Sequence, residues 1–248
     1  MLLPNPKGNY SFLKGIAPYS AGAVAEKGYE IVHVRFLQPV PLAQGFERVK
    51  AHLQAVKRPV QAMCGMELRS PKPFTFPGFA EFNGTYVEVL KSWGIFLDDL
   101  NPVARTNIAP EIGAPAVPSL YGFSYTVPSV RKEKSFIVAG AGELPEGSLK
   151  PEDVVRKGET SNEALREKTR FVMGLMAGRL QGLGVDWAQV TTTEVYTIHS
   201  VCSFLASEIV RPLGKAGIHG VTWHYSRPPI VTIEYEMDLR GCFREIVL

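Results

Sequence analysis

Apolar and polar residues alternate along 29–38 (YEIVHVRFLQ), with Ile31 and Val34 apolar and His33 and Arg35 polar, and this predicts a strand. Over 45–56 the spacing changes to that of a helix, placing Phe46, Val49, Leu53 and Val56 on one side. A second strand is expected at 60–69, ended by the Ser70-Pro71-Lys72-Pro73 run. The apolar stripe Phe79, Phe82, Tyr86, Val89, Leu90, Trp93 then predicts a helix over 78–93. Strands follow at 102–109 and 119–127, separated by a loop holding Pro110, Pro115 and Pro118. Residues 1–28, rich in Gly, Pro and Ala, read as an irregular lead-in with one short strand.

The same order then returns. The polar, basic stretch 127–134 is a domain connection. A strand at 135–139 runs into the Gly140-Ala141-Gly142 turn. Thr160 with Glu163 forms a capping box for a helix through Leu183, with Leu165, Val172, Leu175, Met176 and Leu180 inward. A strand at 190–199, a helix at 202–213 and strands at 229–237 and 242–248 complete the chain. The repeat of element order divides the chain into two like domains, 1–128 and 129–248.

Composition narrows the class. The 248 residues are 45% hydrophobic and 21% charged, which fits a globular protein with a full core. A net charge of +3 without a Lys/Arg run argues against nucleic acid as a partner. Three widely spaced cysteines, Cys64, Cys202 and Cys242, do not make a disulfide framework and point to a reducing cytoplasm. No apolar run has membrane-spanning length, and the N-terminus lacks a secretory pattern. HExxH, paired CxxC, GxSxG, Walker and GxGxxG patterns are all missing, so neither a metal nor a cofactor is expected.

Among charged residues, Arg105 stands out on the strand 102–109, because no acid lies within five residues before it and Glu111 is the nearest after it. A planar fork of donors on a stiff strand can grip a carboxylate at two points, and the alternative is a sheet-edge arginine, solvated or paired with a distant acid. Glu67 lies in an otherwise apolar strand; proton transfer by a buried carboxyl, or pairing with Arg69 or Arg35, are its two readings. His33 and His199 have no partner at motif spacing and read as structural, and Cys64 reads as a small core residue. Tyr19 and Tyr121 are candidate pocket-lining residues.

Two segments carry a resemblance. FIVAGAGELPEG with EALREKTRFVMGLMAGRLQGLGVDWAQVTTTEVYTI resembles the RidA/YjgF (L-PSP, enamine/imine deaminase) superfamily, and so do FAEFNGTYVEVLKSWG and NPVARTNIAP in the first half. The resemblance implies an α+β chain of two tandem RidA-like (chorismate-mutase-like) domains, each a mixed, mostly antiparallel sheet with two helices on one face. It also implies a homotrimer with clefts between domains of adjacent chains. In such a cleft Arg105 would clamp the carboxylate of a 2-imino or 2-enamino acid, with Asn83 at the wall and Tyr86 as core packing. The family's water-positioning Glu falls near Ser124 in the first half, and Glu143, after the glycine turn, sits where family pockets take a contact or is an exposed loop acid. Laid over the arginine strand, the 229–237 stretch puts Ile230 at the clamp position, so the second half is expected to wall the first half's site.

The implied reaction is hydrolytic deamination of a 2-imino or 2-enamino carboxylate, 2-aminomuconate-like among the options, to a 2-oxo acid and ammonia. The catalytic candidates are Arg105, Glu67 and Glu143, and Asn83, Tyr19, Tyr121 and Ser124 complete the expected binding set. A non-catalytic carboxylate-binding or regulatory protein is the main alternative. Ribonuclease activity fits the mild charge poorly, and a chorismate-cleaving relative would be a longer chain.

Overall fold

The computed structural model describes residues 1–248, arranged as two sheets with helices on their outer faces. The first half runs β4 (Tyr29–Pro41), α1 (Leu42–Ala55), β5 (Met63–Arg69), α2 (Phe76–Ser92), β6 (Ala104–Pro110) and β7 (Ser119–Pro128). The second runs β8 (Phe136–Gly142), α3 (Asn162–Leu183), β9 (Thr192–Tyr196), a π-helical stretch Leu205–Val210, β10 (Thr222–His224) and β12 (Glu236–Gly241). Their sheets are ordered β6-β5-β7-β4 and β10-β9-β12-β8, so the recurrence of element order extends to the strand order. In each, the strand after the second helical segment lies parallel to its neighbour: β6 to β5, and β10 to β9.

Each sheet is completed by strands from the far end of the chain. β1 (Leu2–Asn5), β2 (Tyr10–Leu13) and β3 (Gly22–Ala25) extend the second half's sheet through β8. β13 (Arg244–Val247) pairs parallel with β4, and β11 (Ser226–Arg227) pairs with β6. Strand pairing therefore crosses the 128/129 division in both directions. The lead-in 1–28 forms three strands where one was expected. Its Gly and Ala residues, poor strand formers by composition, serve here as close-packing positions: a Cβ on Gly22 would press on the Ile137 carbonyl.

Three of the four apolar clusters hold these layers. One joins α3 to β3, β8, β9 and β12 through Val172, Met176, Leu180, Phe136 and Met237. A second joins α1 and α2 to their sheet through Phe46, Leu53, Tyr86, Leu90 and Phe123. The third, with Phe12, Ala23, Ile31, Cys64, Ala104 and Ile137, lies where the sheets face each other. Cys64 is fully buried there, and desolvation pushes its thiol well up.

Two predicted elements differ. Residues 202–213 wind as a π-helix over Leu205–Val210 followed by a single α-turn, Arg211–Leu213, where Pro212 removes a backbone donor. The strand expected at 229–237 starts only at Glu236. Before it, Phe74 and Pro229–Val231 exchange backbone hydrogen bonds, and Thr232 adopts φ +76, which ends any extended run. Ile230 is therefore not on a counterpart of the arginine strand. That counterpart is β10, Thr-Trp-His, which carries no arginine. No helix is long and apolar enough to cross a membrane.

Candidate active site

The geometry of the site begins with α2. Its N-terminus is capped by Thr75, whose hydroxyl accepts from the Gly78 N–H, and Pro77 occupies the first turn, where a missing N–H costs nothing. The helix turns Phe79, Asn83 and Tyr86 inward on one stripe, towards β6. There Arg105 Nη2 donates to Asn83 Oδ1 at 2.6 Å. The guanidinium lies among four aromatic rings, 4.6 Å from the centre of Tyr19 and 4.7 Å from that of Tyr86, with Phe79 and Phe82 further out. Arg105 is 2% exposed, no carboxylate pairs with it, and its Nε and Nη1 have no hydrogen-bond partner. Burial lowers its pKa from the ordinary value, opposed by Tyr86, Tyr19 and Glu236; a guanidinium is not deprotonated in proteins and stays charged.

Beside Arg105 lies a cavity of about 70 Å³. Its first wall is Tyr19, Phe79, Arg105 and Asn107. The opposite wall comes from the second half: the Gly140–Gly142 end of β8, which is strand where a turn was expected, with Glu146, Arg179, Ile230 and Glu236. One chain thus supplies both sides. Glu236 opens β12, and burial raises its carboxyl well above the ordinary range, with Asp238 and Glu143 adding repulsion against the pull of Arg179 and Arg105. Gly140 is glycine for a local reason, since a Cβ there would collide with Glu236 Oε1. The site so pairs an unneutralised cation with a carboxyl whose burial favours the protonated form, a combination suited to anchoring an anion and exchanging a proton with it.

The other sequence-derived candidates divide. Arg105 and Tyr19 line the cavity, and Asn83 orients Arg105 from behind. Tyr86 is core and also a face of the aromatic box. Glu143 is neither an exposed loop acid nor open to a ligand. It is 0% exposed, takes a hydrogen bond from Lys168 Nζ at 3.0 Å and accepts from the N–H groups of Glu234 and Tyr235. Burial still pushes its carboxyl up, but every strong acceptor position is used for holding α3 to the loop before β12. Glu67 lies in a polar seam between the sheets, 3.5 Å from His33, 3.4 Å from Arg240 and 3.9 Å from Arg69. Ser124 is in the same seam, its hydroxyl 3.2 Å from His33 Nδ1. Tyr121 packs under the Arg69 guanidinium and opens on a separate cleft of about 300 Å³ with His33, Glu194, His224 and Arg240. His33 and His199 are hydrogen-bonded, the latter to Glu234 at 2.9 Å.

Glu236 and Arg179 are the site residues that sequence reasoning missed. β7 and β12 hold equivalent places in the two sheet orders, and Glu236 opens the second of these strands. The signal was EYEMDLRG, a strand with an acid at its start, obscured by placing the strand seven residues early.

Comparison with known proteins identifies relatives along almost the whole chain. The profile of the family described as 2-aminomuconate deaminase CnbZ matches residues 2–246. A 2-amino-5-chloromuconate deaminase of Comamonas testosteroni is 46% identical over 244 residues, covering 97% of this chain and 96% of that one. Among solved structures, a chorismatase superposes with a TM-score of 0.51 at 13% identity, covering 90% of this chain and 77% of that one, a likeness of fold alone.

Proposed function

Because the chain belongs to the 2-aminomuconate deaminase CnbZ family, we propose that it hydrolyses 2-aminomuconate, or a closely related 2-amino diacid, to the 2-oxo acid and ammonia in the cavity beside Arg105. The observation that carries this reading is the buried guanidinium with Nε and Nη1 unpartnered, facing Glu236 across one cavity. A buried cation without a counter-ion is costly, and a substrate carboxylate supplies what is missing.

The chemistry needs little more. Arg105 holds the carboxylate next to the amino-bearing carbon, and the aromatic box excludes water from the far side. Glu236, protonated, delivers a proton to the carbon end of the enamine double bond, leaving a C=N group. Its carboxylate then takes a proton from a water molecule as the oxygen attacks the C=N carbon. Returning that proton to nitrogen breaks the C–N bond, releases ammonia and leaves the carbonyl, with the hydroxyl proton passing back to Glu236. Each half is read here as a RidA-like unit, and the chain as one able to trimerise. The test is ammonia release from 2-aminomuconate. Arg105→Ala should lower kcat/KM by roughly 100-fold or more, and Arg105→Lys should recover only part, because an ammonium lacks the fork. Turnover by Arg105→Ala at the wild-type rate would remove the proposal.

A further inference from the structure

Arg179 is a second buried arginine in the same cavity, and its surroundings differ from those of Arg105 in an informative way. It projects from α3 at 8% exposure. Nη1 donates to the Ala139 carbonyl at 2.8 Å and reaches the Gly140 carbonyl at 3.5 Å, which fixes the plane of the group. The remaining edge, Nε and Nη2, is gripped in parallel by the two carboxylate oxygens of Glu146, both at 2.9 Å. Glu146 itself belongs to no regular element. It lies with Gly147, at φ +81, in the turn closed by the Ser148 N–H on the Pro145 carbonyl, and its side chain is 45% exposed. A rigid, buried fork is thus filled by a carboxylate carried on a surface loop.

From this arrangement we infer that Arg179 is the seat for the second carboxylate of a dicarboxylic substrate, and that Glu146 holds that seat until the diacid displaces it. Three observations converge. First, the bidentate geometry of Glu146 is the one any free carboxylate would adopt on this fork. Second, with Glu146 in place the cavity is about 70 Å³, whereas ligand pockets run to roughly 300–1,000 Å³. Withdrawal of the Glu146 side chain opens the space beside Arg179 at the moment it frees the fork. Third, only a diacid can use both cations of the cavity. Arg105 and Arg179 are two cations on one cavity, and two substrate carboxylates neutralise both, whereas a monoacid leaves Glu146 where it is and has no use for Arg179. The role is one of specificity: Arg105 acts beside the reacting carbon, and Arg179 selects the far end.

The inference takes the diacid's identity from the deamination reading but is tested without turnover. trans,trans-Muconate and sorbate differ by one carboxylate on the same six-carbon diene. In calorimetric titrations the wild-type protein should bind muconate roughly tenfold or more tightly than sorbate. Glu146→Gln, a weaker competitor for the fork on an exposed loop, should tighten muconate several-fold and leave sorbate unchanged. Arg179→Met should bring the two ligands to equal affinity; should that variant fail to fold, Glu146→Gln decides. Equal binding of the two by the wild type, no binding of muconate, or an unchanged muconate affinity in Glu146→Gln overturns the inference. A protein that shows the predicted pattern yet releases no ammonia from 2-aminomuconate keeps the diacid site and loses only the reaction.

Discussion

Arg105 was legible because its strand offers no acid nearby, and the structure keeps it that way: its one polar side-chain partner is a neutral amide, Asn83. Glu236 was not legible, since nothing in the sequence says that the loop before it turns at Thr232 and leaves the acid at a strand start inside a cavity. The two residues make opposite electrostatic demands, and Glu236 offers a pH test. Its pKa is raised in the folded protein, so between the ordinary carboxylate range and that raised value the native state binds a proton that the unfolded chain has lost. Stability contributed by this group is therefore full at low pH and falls as pH rises. Glu236→Gln, which cannot ionise, should flatten that part of the Tm-against-pH curve and melt higher than wild type at neutral and alkaline pH. The same substitution should lower ammonia release by roughly 100-fold through loss of proton transfer. A variant as active as wild type would dismiss Glu236 from the chemistry.

The three long helices were read nearly whole from apolar spacing, α2 best of all, because packing one face against a sheet demands that spacing. α3 also held a signal that spacing alone passes over. Leu165, Lys168, Val172, Met176, Arg179 and Leu183 recur at intervals of three and four, so two charges occupy positions that the stripe assigns to apolar side chains. Both are buried, Lys168 on Glu143 and Arg179 on Glu146, and a charge at a core position signals a partner brought from elsewhere in the chain. Lys168→Met should cost about 3–5 kcal/mol in chemical denaturation by leaving Glu143 buried without its cation. Adding Glu143→Gln should return part of that loss, because the amide carries no charge to strand. Strands were harder to place: 229–235 alternates well, but the Pro228-Pro229 pair and the turn at Thr232 take it out of both sheets to form cavity wall instead.

At the level of the molecule, the recurring element order was legible, and the exchange of chain ends between the sheets was not, because register between segments more than a hundred residues apart leaves no local pattern. β13 covers the outer edge of β4, where Arg244 reaches Glu30 at 2.6 Å and Leu248 exchanges backbone hydrogen bonds with Arg35 and Leu37. Deleting residues 244–248 should lower Tm by roughly 5–10 °C and raise light scattering on heating, since the bare edge of β4 is a template for another chain. An unchanged melt would mean that β13 contributes little to the sheet. The exchange also sets an order of events during synthesis. While the nascent polypeptide is still threading through the ribosome, the sheet of residues 29–128 has both flanks open, that of β6 until β11 and that of β4 until β13 has been translated. For that interval, protection of the two flanks falls to whatever the cell provides around the emerging chain.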